Sequence, residues 1–150
     1  MATVTGIKEV KEAIKSLKRN FRAEPVVVGY TANYALMVHE NRSANFNVGK
    51  AGFLLDNTNE MKGELASIVK QTTKNNGSLQ SGLDTAGLAL QRKAQGDTPI
   101  DTGALRASAF TARESKANSA AAQAFIKSQE KRESALAVRA KKKAKKKGGK

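Results

Sequence analysis

The chain has 150 residues, no cysteine and a formal net charge of +14. A chain of this length is most simply one domain, and a zinc site would have to be made from His39 and carboxylates, which is a poor ligand set. The N-terminus lacks the apolar run of a signal peptide, and nowhere do about 18 apolar residues follow one another. We therefore expect a protein of a soluble compartment with no metal and no membrane partner.

The positive charge is unevenly distributed. Residues 127–150 hold eleven Lys or Arg against two Glu, whereas residues 1–126 hold sixteen against eleven acidic residues. Large apolar residues recur regularly up to about Phe110 and become sparse afterwards. These shifts predict one core domain over residues 1–113 and a low-complexity basic helix or tail over residues 114–150.

The first elements follow from the spacing of apolar residues. Apolar residues three and four apart predict an amphipathic helix over residues 5–21, and the β-branched run that begins at Val26 predicts a strand over residues 26–31. Residues 34–40 fit a strand by alternation and a short helix by one apolar face. Residues 41–52 are rich in Asn, Ser and Gly, and they predict a loop long enough for a functional role.

Two helices should follow this loop. The first is predicted over residues 53–74 and ends at Asn75-Asn-Gly77. The second is capped by Ser78 and extends to residue 95. Its two glycines, Gly82 and Gly87, cost helix stability, so we expect them to let another backbone come close.

The last quarter of the chain changes character. Residues 107–113 alternate small or apolar with polar residues and predict a strand beside the first one. Residues 117–140 are Ala-rich and predict a solvated helix held by a partner rather than by its own core. The run over residues 141–147 should be flexible in isolation. The fold class is therefore α+β, a small antiparallel sheet packed against three or more helices, with an extended Ala/Lys-rich C-terminal helix or tail.

The tripeptide Asp101-Thr102-Gly103 matches the signature of aspartic proteases, in which two such loops share one proton. Those enzymes are nearly all β with a glycine-rich flap, whereas this motif follows a predicted helix. The surroundings favour a structural turn. In it Pro99 fixes φ, Asp101 accepts backbone N–H bonds, and Gly103 adopts a conformation that other residues resist. Arg106 lies close enough in sequence to pair with Asp101 or to reach a neighbouring subunit.

Other catalytic patterns are absent from the sequence. The single histidine, His39, has no recognisable nucleophile for a triad, and a histidine hydrogen-bonded to backbone is the simpler interpretation. The segment Val48-Gly-Lys-Ala-Gly52 lacks the spacing of a phosphate-binding loop. We expect no enzyme activity, no cofactor and no small-molecule substrate.

Three segments carry a resemblance to a known family. Val28 to Glu40, the Phe53-Leu-Leu run and Thr98 to Ser108 together resemble the head-tail joining proteins of tailed bacteriophages, also called neck, tail-completion or minor capsid proteins. The resemblance covers residues 26–113. In many members the Asp-Thr-Gly segment precedes the Tyr-Ala segment, whereas here it follows, as in a circularly permuted chain.

The resemblance implies a structural role and favours a short helix over residues 34–40. Copies would form a cyclic homo-oligomeric ring that joins the DNA-filled head, at its portal or adaptor, to the tail. The protein would be assembled in the host cytoplasm and reside in the virion at the head-tail junction. The expected subunit-interface residues are Tyr34, Val38, His39, Glu40, Asn45, Phe46 and Arg106, and the structural turn comprises Pro99, Asp101, Thr102 and Gly103.

The lysine-rich end has its own alternatives. Lysines neutralise phosphates without reading base sequence, so the end is expected to contact DNA or an acidic surface of a neighbouring ring, or merely to aid solubility. The residues concerned are Lys141, Lys142, Lys143, Lys145, Lys146 and Lys147. A basic DNA-binding accessory protein is the alternative function.

Overall fold

The computed structural model describes residues 22–147, together with Glu12 and Lys15, and side chains as far as residue 143. The helix predicted over residues 5–21 therefore lies almost wholly outside the described residues. The elements in chain order are β1 (Val26–Tyr30), α1 (Ala35–Glu40), α2 (Leu55–Glu60), α3 (Lys62–Asn76), α4 (Leu79–Asp97), α5 (Ala104–Ala107), β2 (Ala109–Arg113), a 3-10 turn (Glu114–Lys116) and α6 (Ala117–Lys147).

The two strands form an antiparallel sheet in which Val26 pairs with Arg113 and Tyr30 pairs with Ala109. Helices α4 and α6 both pack against this sheet. A Cβ added at Gly87 of α4 would lie 2.7 Å from a methyl carbon of Val26. The glycine thus lets α4 approach the strands closely, as expected, and the α+β fold class is confirmed.

Helix boundaries follow local chemistry where a cap is present. Gly77 ends α3 in the left-handed conformation, with φ 65°, and the side chain of Ser78 accepts the N–H of Ser81 at the start of α4. The single helix predicted over residues 53–74 is wrong, because the chain leaves helical geometry at Met61. The two parts have different partners, since α2 is anchored to the end of α4 whereas α3 packs along α4.

The predicted strand over residues 107–113 begins two residues later than expected. Gly103, with φ 81°, starts the short helix α5, and the hydroxyl of buried Ser108 donates to the carbonyl of Leu105 over 2.7 Å. Strand β2 begins only after this closed turn.

Helix α6 differs from its prediction in its first half. Ala124 and Ser128 are buried because the small side chains of this half let the helix pack against β2 and α5, so the prediction of a solvated helix is wrong there. The backbone remains helical through Lys147, and the flexibility expected for residues 141–147 in isolation stays a prediction. No helix within the described ranges is long and apolar enough to cross a membrane.

The hydrophobic core lies where α1, the segment before α2, and α5 meet β1. Its buried members are Ala32, Ala35, Phe53 and Leu105, and the partly buried Tyr30, Tyr34, Val38 and Leu54 pack against them. The Phe53 ring meets the Tyr30 ring edge to face, with 4.9 Å between centroids. The core thus draws its side chains from all three segments that carry the family resemblance.

Candidate subunit interface

The loop over residues 41–52 packs backbone to backbone against the turn over residues 98–103. The N–H of Lys50 donates to the carbonyl of Asp97 over 2.8 Å. Gly49 has φ 85°, and a Cβ there would lie 2.5 Å from the backbone nitrogen of Pro99. Only glycine fits this conformation and this distance.

Both ends of the loop are tied to neighbouring elements. Arg42 donates two hydrogen bonds to the carboxylate of Asp56, over 2.8 and 2.9 Å, and these bonds lower the pKa of Asp56. At the other end the N–H of Gly52 donates to the carbonyl of His39 over 2.8 Å. A segment without apolar periodicity therefore has a defined path.

A buried amide connects α2 to the end of α4. The Nδ2 of Asn57 donates to the carbonyl of Phe53 over 2.6 Å and to the carboxylate of Asp97 over 2.9 Å. The Nζ of Lys50 lies 3.4 Å from the same carboxylate. Burial raises the pKa of Asp97, but the Asn57 hydrogen bond and Lys50 outweigh burial and lower it overall.

Thr98 is the fully buried start of the turn. Its hydroxyl donates to the carbonyl of Ala94 over 2.7 Å. The hydroxyl of Tyr30 lies 2.8 Å from the Thr98 oxygen. Because the Thr98 proton is already used, Tyr30 is the donor, and burial, which raises the pKa of Tyr30, keeps that proton in place.

The turn itself confirms one predicted role and corrects two. Gly103 is left-handed, as expected. The side chain that accepts a backbone N–H in the turn is Thr102, from Ala104 over 3.2 Å. Asp101, predicted to do so, is 80% exposed and accepts Arg139 of α6 over 2.6 Å instead. Arg139, which lies 38 positions from Asp101 and was not singled out in the sequence, therefore forms the pair with Asp101 that was predicted for Arg106.

Arg106 lies elsewhere. Its Nη2 donates to the carbonyl of Gly96 over 3.2 Å, and its own carbonyl accepts Gln95 over 2.9 Å. It does not line the space between loop and turn. Its contacts join α5 to the end of α4, and its place in a subunit interface stays a prediction.

A pocket of about 300 Å³ lies between residues 45–48 of the loop and the turn. Four of the predicted interface residues and all four predicted turn residues line it. The complete lining is Tyr34, Val38, Asn45, Phe46, Asn47, Val48, Pro99, Ile100, Asp101, Thr102, Gly103 and Leu105. Two segments more than fifty residues apart in sequence thus form one concave surface, which we call the pocket.

Helix α6 adds positive charge beside the pocket. The carbon chain of Lys131 lies over Gly103, 3.2 Å from where a Cβ would be. Arg132 is near enough to Tyr34 to lower its pKa, although burial is the larger influence and raises it. Arg139 bonds Asp101 and has its own pKa raised by that bond. These three cations form what we call the basic wall.

His39 and Glu40 lie on the other side of α1, in a hollow of about 240 Å³. The Nε2 of His39 accepts the N–H of Leu55 over 3.3 Å, and its Nδ1 lies 2.8 Å from the Glu40 carboxylate. The proton is therefore on Nδ1. His39 is 14% exposed, which confirms the prediction of a histidine hydrogen-bonded to backbone.

The outer face of α1 carries residues that sequence reasoning missed. Leu36 is 72% exposed and Met37 is 73% exposed, more than any other large hydrophobic residue of the described part of the chain. With Glu40 they form one stripe, because positions 36, 37 and 40 share a helix face. We call these three residues the ridge. The signal in the sequence was that four of the six residues of α1 are apolar, which is more than one buried face of so short a helix can hold.

The lysines expected to contact DNA lie on the distal part of α6, where Lys141, Lys142 and Lys143 are exposed. Lys145, Lys146 and Lys147 continue the same helical backbone.

Within residues 22–147 no three His, Cys, Asp or Glu side chains cluster as metal ligands would. No protein-family model, no curated protein and no solved structure matches this chain.

Proposed function

We propose that the chain is a structural subunit of a tailed-bacteriophage neck, forming a cyclic ring that joins the head to the tail. The observation that carries this proposal is that the three segments that resemble the family contact one another in one hydrophobic core. Tyr30 bonds Thr98, Phe53 packs on Tyr30, and Leu105 completes the core. The residues that resemble the family thus serve packing and shape.

The surroundings of Asp101 support a structural role over proteolysis. An aspartic protease needs a second carboxylate beside the first, so that one proton is shared. The carboxylate of Asp101 is instead exposed and bonded to the guanidinium of Arg139. A carboxylate held in this way positions a helix, which suits a building block.

The test is particle assembly. Particles produced without the chain should accumulate as separate heads and tails in electron microscopy, and purified chain should restore joined particles. Asp101→Asn should restore joining nearly as well, because a structural turn needs no titrating group there. Normal joining without the chain would overturn the proposal, and loss of joining together with loss of a proteolytic cleavage in Asp101→Asn would favour the protease.

A second candidate is the basic DNA-binding accessory protein, which the helical path of α6 through Lys147 favours. A lysine-rich helix end binds duplex phosphates without sequence preference, and log affinity should fall by roughly 0.9 per neutralised phosphate as log salt rises. Deleting residues 141–150 should abolish that salt-dependent binding. If the truncated chain assembles joined particles that retain DNA, the lysines serve neither the neck nor its DNA.

A further inference from the structure

The ridge and the pocket lie on opposite sides of one short helix. Tyr34, which precedes α1, and Val38 of α1 face the pocket, whereas Leu36 and Met37 project outward. We propose that the ridge of one copy inserts into the pocket of the next copy. The inference rests on the proposed ring and identifies the contact by which its copies bind.

The apolar parts of the two surfaces match. Exposed apolar side chains gain free energy when they leave water, and Leu36 and Met37 are the most exposed ones described. The pocket offers Phe46 with Val48 and Ile100, and the last two are themselves exposed. Its volume of about 300 Å³ suits one or two side chains rather than a whole helix.

The charges match as well. Glu40 follows the apolar part of the ridge, and its side chain is 66% exposed. The basic wall borders the pocket, and within it Arg139 is already bonded to Asp101. Lys131 and Arg132 form no ion pair with any other described residue, so they are available to an incoming carboxylate. Such complementarity orients the partner and fixes register.

The two surfaces differ, so the contact is head to tail. A two-fold contact would place the ridge against the ridge of its partner, whereas a ridge-to-pocket contact repeats from copy to copy and closes when the rotation completes a turn. Because Val38 of α1 lines the pocket and the ridge lies on the other side of the same helix, adjacent contacts are linked through α1. This is the geometry that a ring requires.

Cysteine cross-linking tests the contact directly, because the chain has no native cysteine. Met37→Cys and Ile100→Cys chains, purified separately and mixed under oxidising conditions, should form a cross-linked pair. Neither should cross-link alone. Leu88→Cys, an exposed position on α4, is the matched control and should not cross-link with Met37→Cys. A self-cross-linked Met37→Cys chain would indicate a two-fold contact and overturn the inference.

Charge reversal supplies an independent readout. Arg132→Glu and Glu40→Arg should each weaken self-association several-fold by mass photometry, and the two changes together should restore it. Met37→Asp should weaken it on the order of tenfold or more, as expected for a buried apolar anchor. Arg92→Glu on α4 makes the same charge change at an exposed site and should have no effect. Circular dichroism of each variant checks that the fold is retained.

The outcomes separate the contact from the function. Rings that form without the Met37–Ile100 cross-link would overturn the inference, and so would a chain that stays monomeric at every concentration. The neck proposal would then still be decided by the particle-assembly experiment. Cross-linked rings of a chain whose absence leaves particles joined normally would support the contact and overturn the neck function.

Discussion

The loop and turn around the pocket contrast with the distal half of α6, residues 132–147. The loop over residues 41–52 has no apolar period, yet backbone hydrogen bonds, Gly49 and the Arg42–Asp56 ion pair fix its path. The distal half of α6 has high helix propensity, but its side-chain hydrogen bonds to the rest of the described protein come from Arg139 alone, which donates to the carbonyl and the carboxylate of Asp101. One region is ordered by tertiary bonds and the other by its own backbone.

The difference teaches where sensitivity to mutation should lie. A loop fixed by tertiary bonds loses its shape when one bond or one glycine is removed. A helix stabilised by its own propensity keeps its helical backbone when a tertiary bond is removed. What changes is its orientation relative to the rest of the protein. The following substitutions test this contrast, beginning with the loop.

Gly49→Ala should have the largest effect. The new Cβ would lie 2.5 Å from the backbone of Pro99, in a residue with φ 85°, so we expect unfolding free energy to fall by at least about 2 kcal/mol. Denaturant titration measures this loss. Gly77→Ala is the control for the backbone angle alone, because φ there is 65° and nothing lies within 4 Å. Equal losses in the two variants would show that the loop does not press against the turn.

Thr98→Val should come next. The substitution keeps the shape of the side chain but removes the acceptor for Tyr30 and the bond to Ala94, which should cost about 1–3 kcal/mol. Thr85→Val removes the same kind of backbone bond at an exposed position and should change stability by less than about 0.5 kcal/mol. In Tyr30→Phe the cost of Thr98→Val should shrink; full additivity would mean that the two hydroxyls do not interact.

The response to acid should depend on Asp97. Its pKa is lower in the folded chain, so its contribution is present above the unfolded value of about 3.9 and is lost as pH falls through the folded value. Asp97→Asn should therefore lower stability at pH 7 and flatten its decline below about pH 5. Unfolding titrations at several pH values measure this slope. Glu64→Gln, an exposed change on α3, should leave the slope unaltered, and an unchanged slope in Asp97→Asn would contradict the assignment.

Arg139→Ala should have the smallest effect on stability. The Asp101 ion pair is exposed, and such pairs contribute little to folding, so the unfolding transition should not move. Hydrogen exchange should nevertheless become faster in the distal half of α6, since its tether to the turn is gone. Arg92→Ala is the control and should leave exchange there unchanged. A shifted unfolding transition would mean that the distal helix belongs to the cooperative core.

Local chemistry explains what the sequence predicted well. The β-branched run gave strand β1 and Ser78 gave the start of α4. Gly77 was expected to end a helix and Gly103 to adopt a conformation that other residues resist, and both are left-handed. Each of these depends on residues within a few positions. The start of the loop at residue 41 also followed, because residues 41–52 offer no periodic face to bury, whereas the next helix begins at Leu55 rather than at residue 53.

Long-range pairings explain what the sequence did not predict. The Arg139–Asp101 bond spans 38 positions, and the Tyr30–Thr98 bond spans 68. No periodicity encodes which partner a side chain finds at such a distance. Four of the predicted interface residues do line the pocket, but the outward projection of Leu36 and Met37 depends on how α1 sits on Phe53 and could not be derived from spacing.

The pairing of Val26 with Arg113 brings the two ends of the resembling segment together, and the N–H of Glu114 donates to the carbonyl of Pro25 over 2.9 Å. A unit whose ends are neighbours can be joined there and reopened at an exposed turn such as Gly77 without disturbing its sheet. The same spatial arrangement then admits more than one linear order of its parts. A rearranged sequence of motifs is therefore compatible with an unchanged three-dimensional layout.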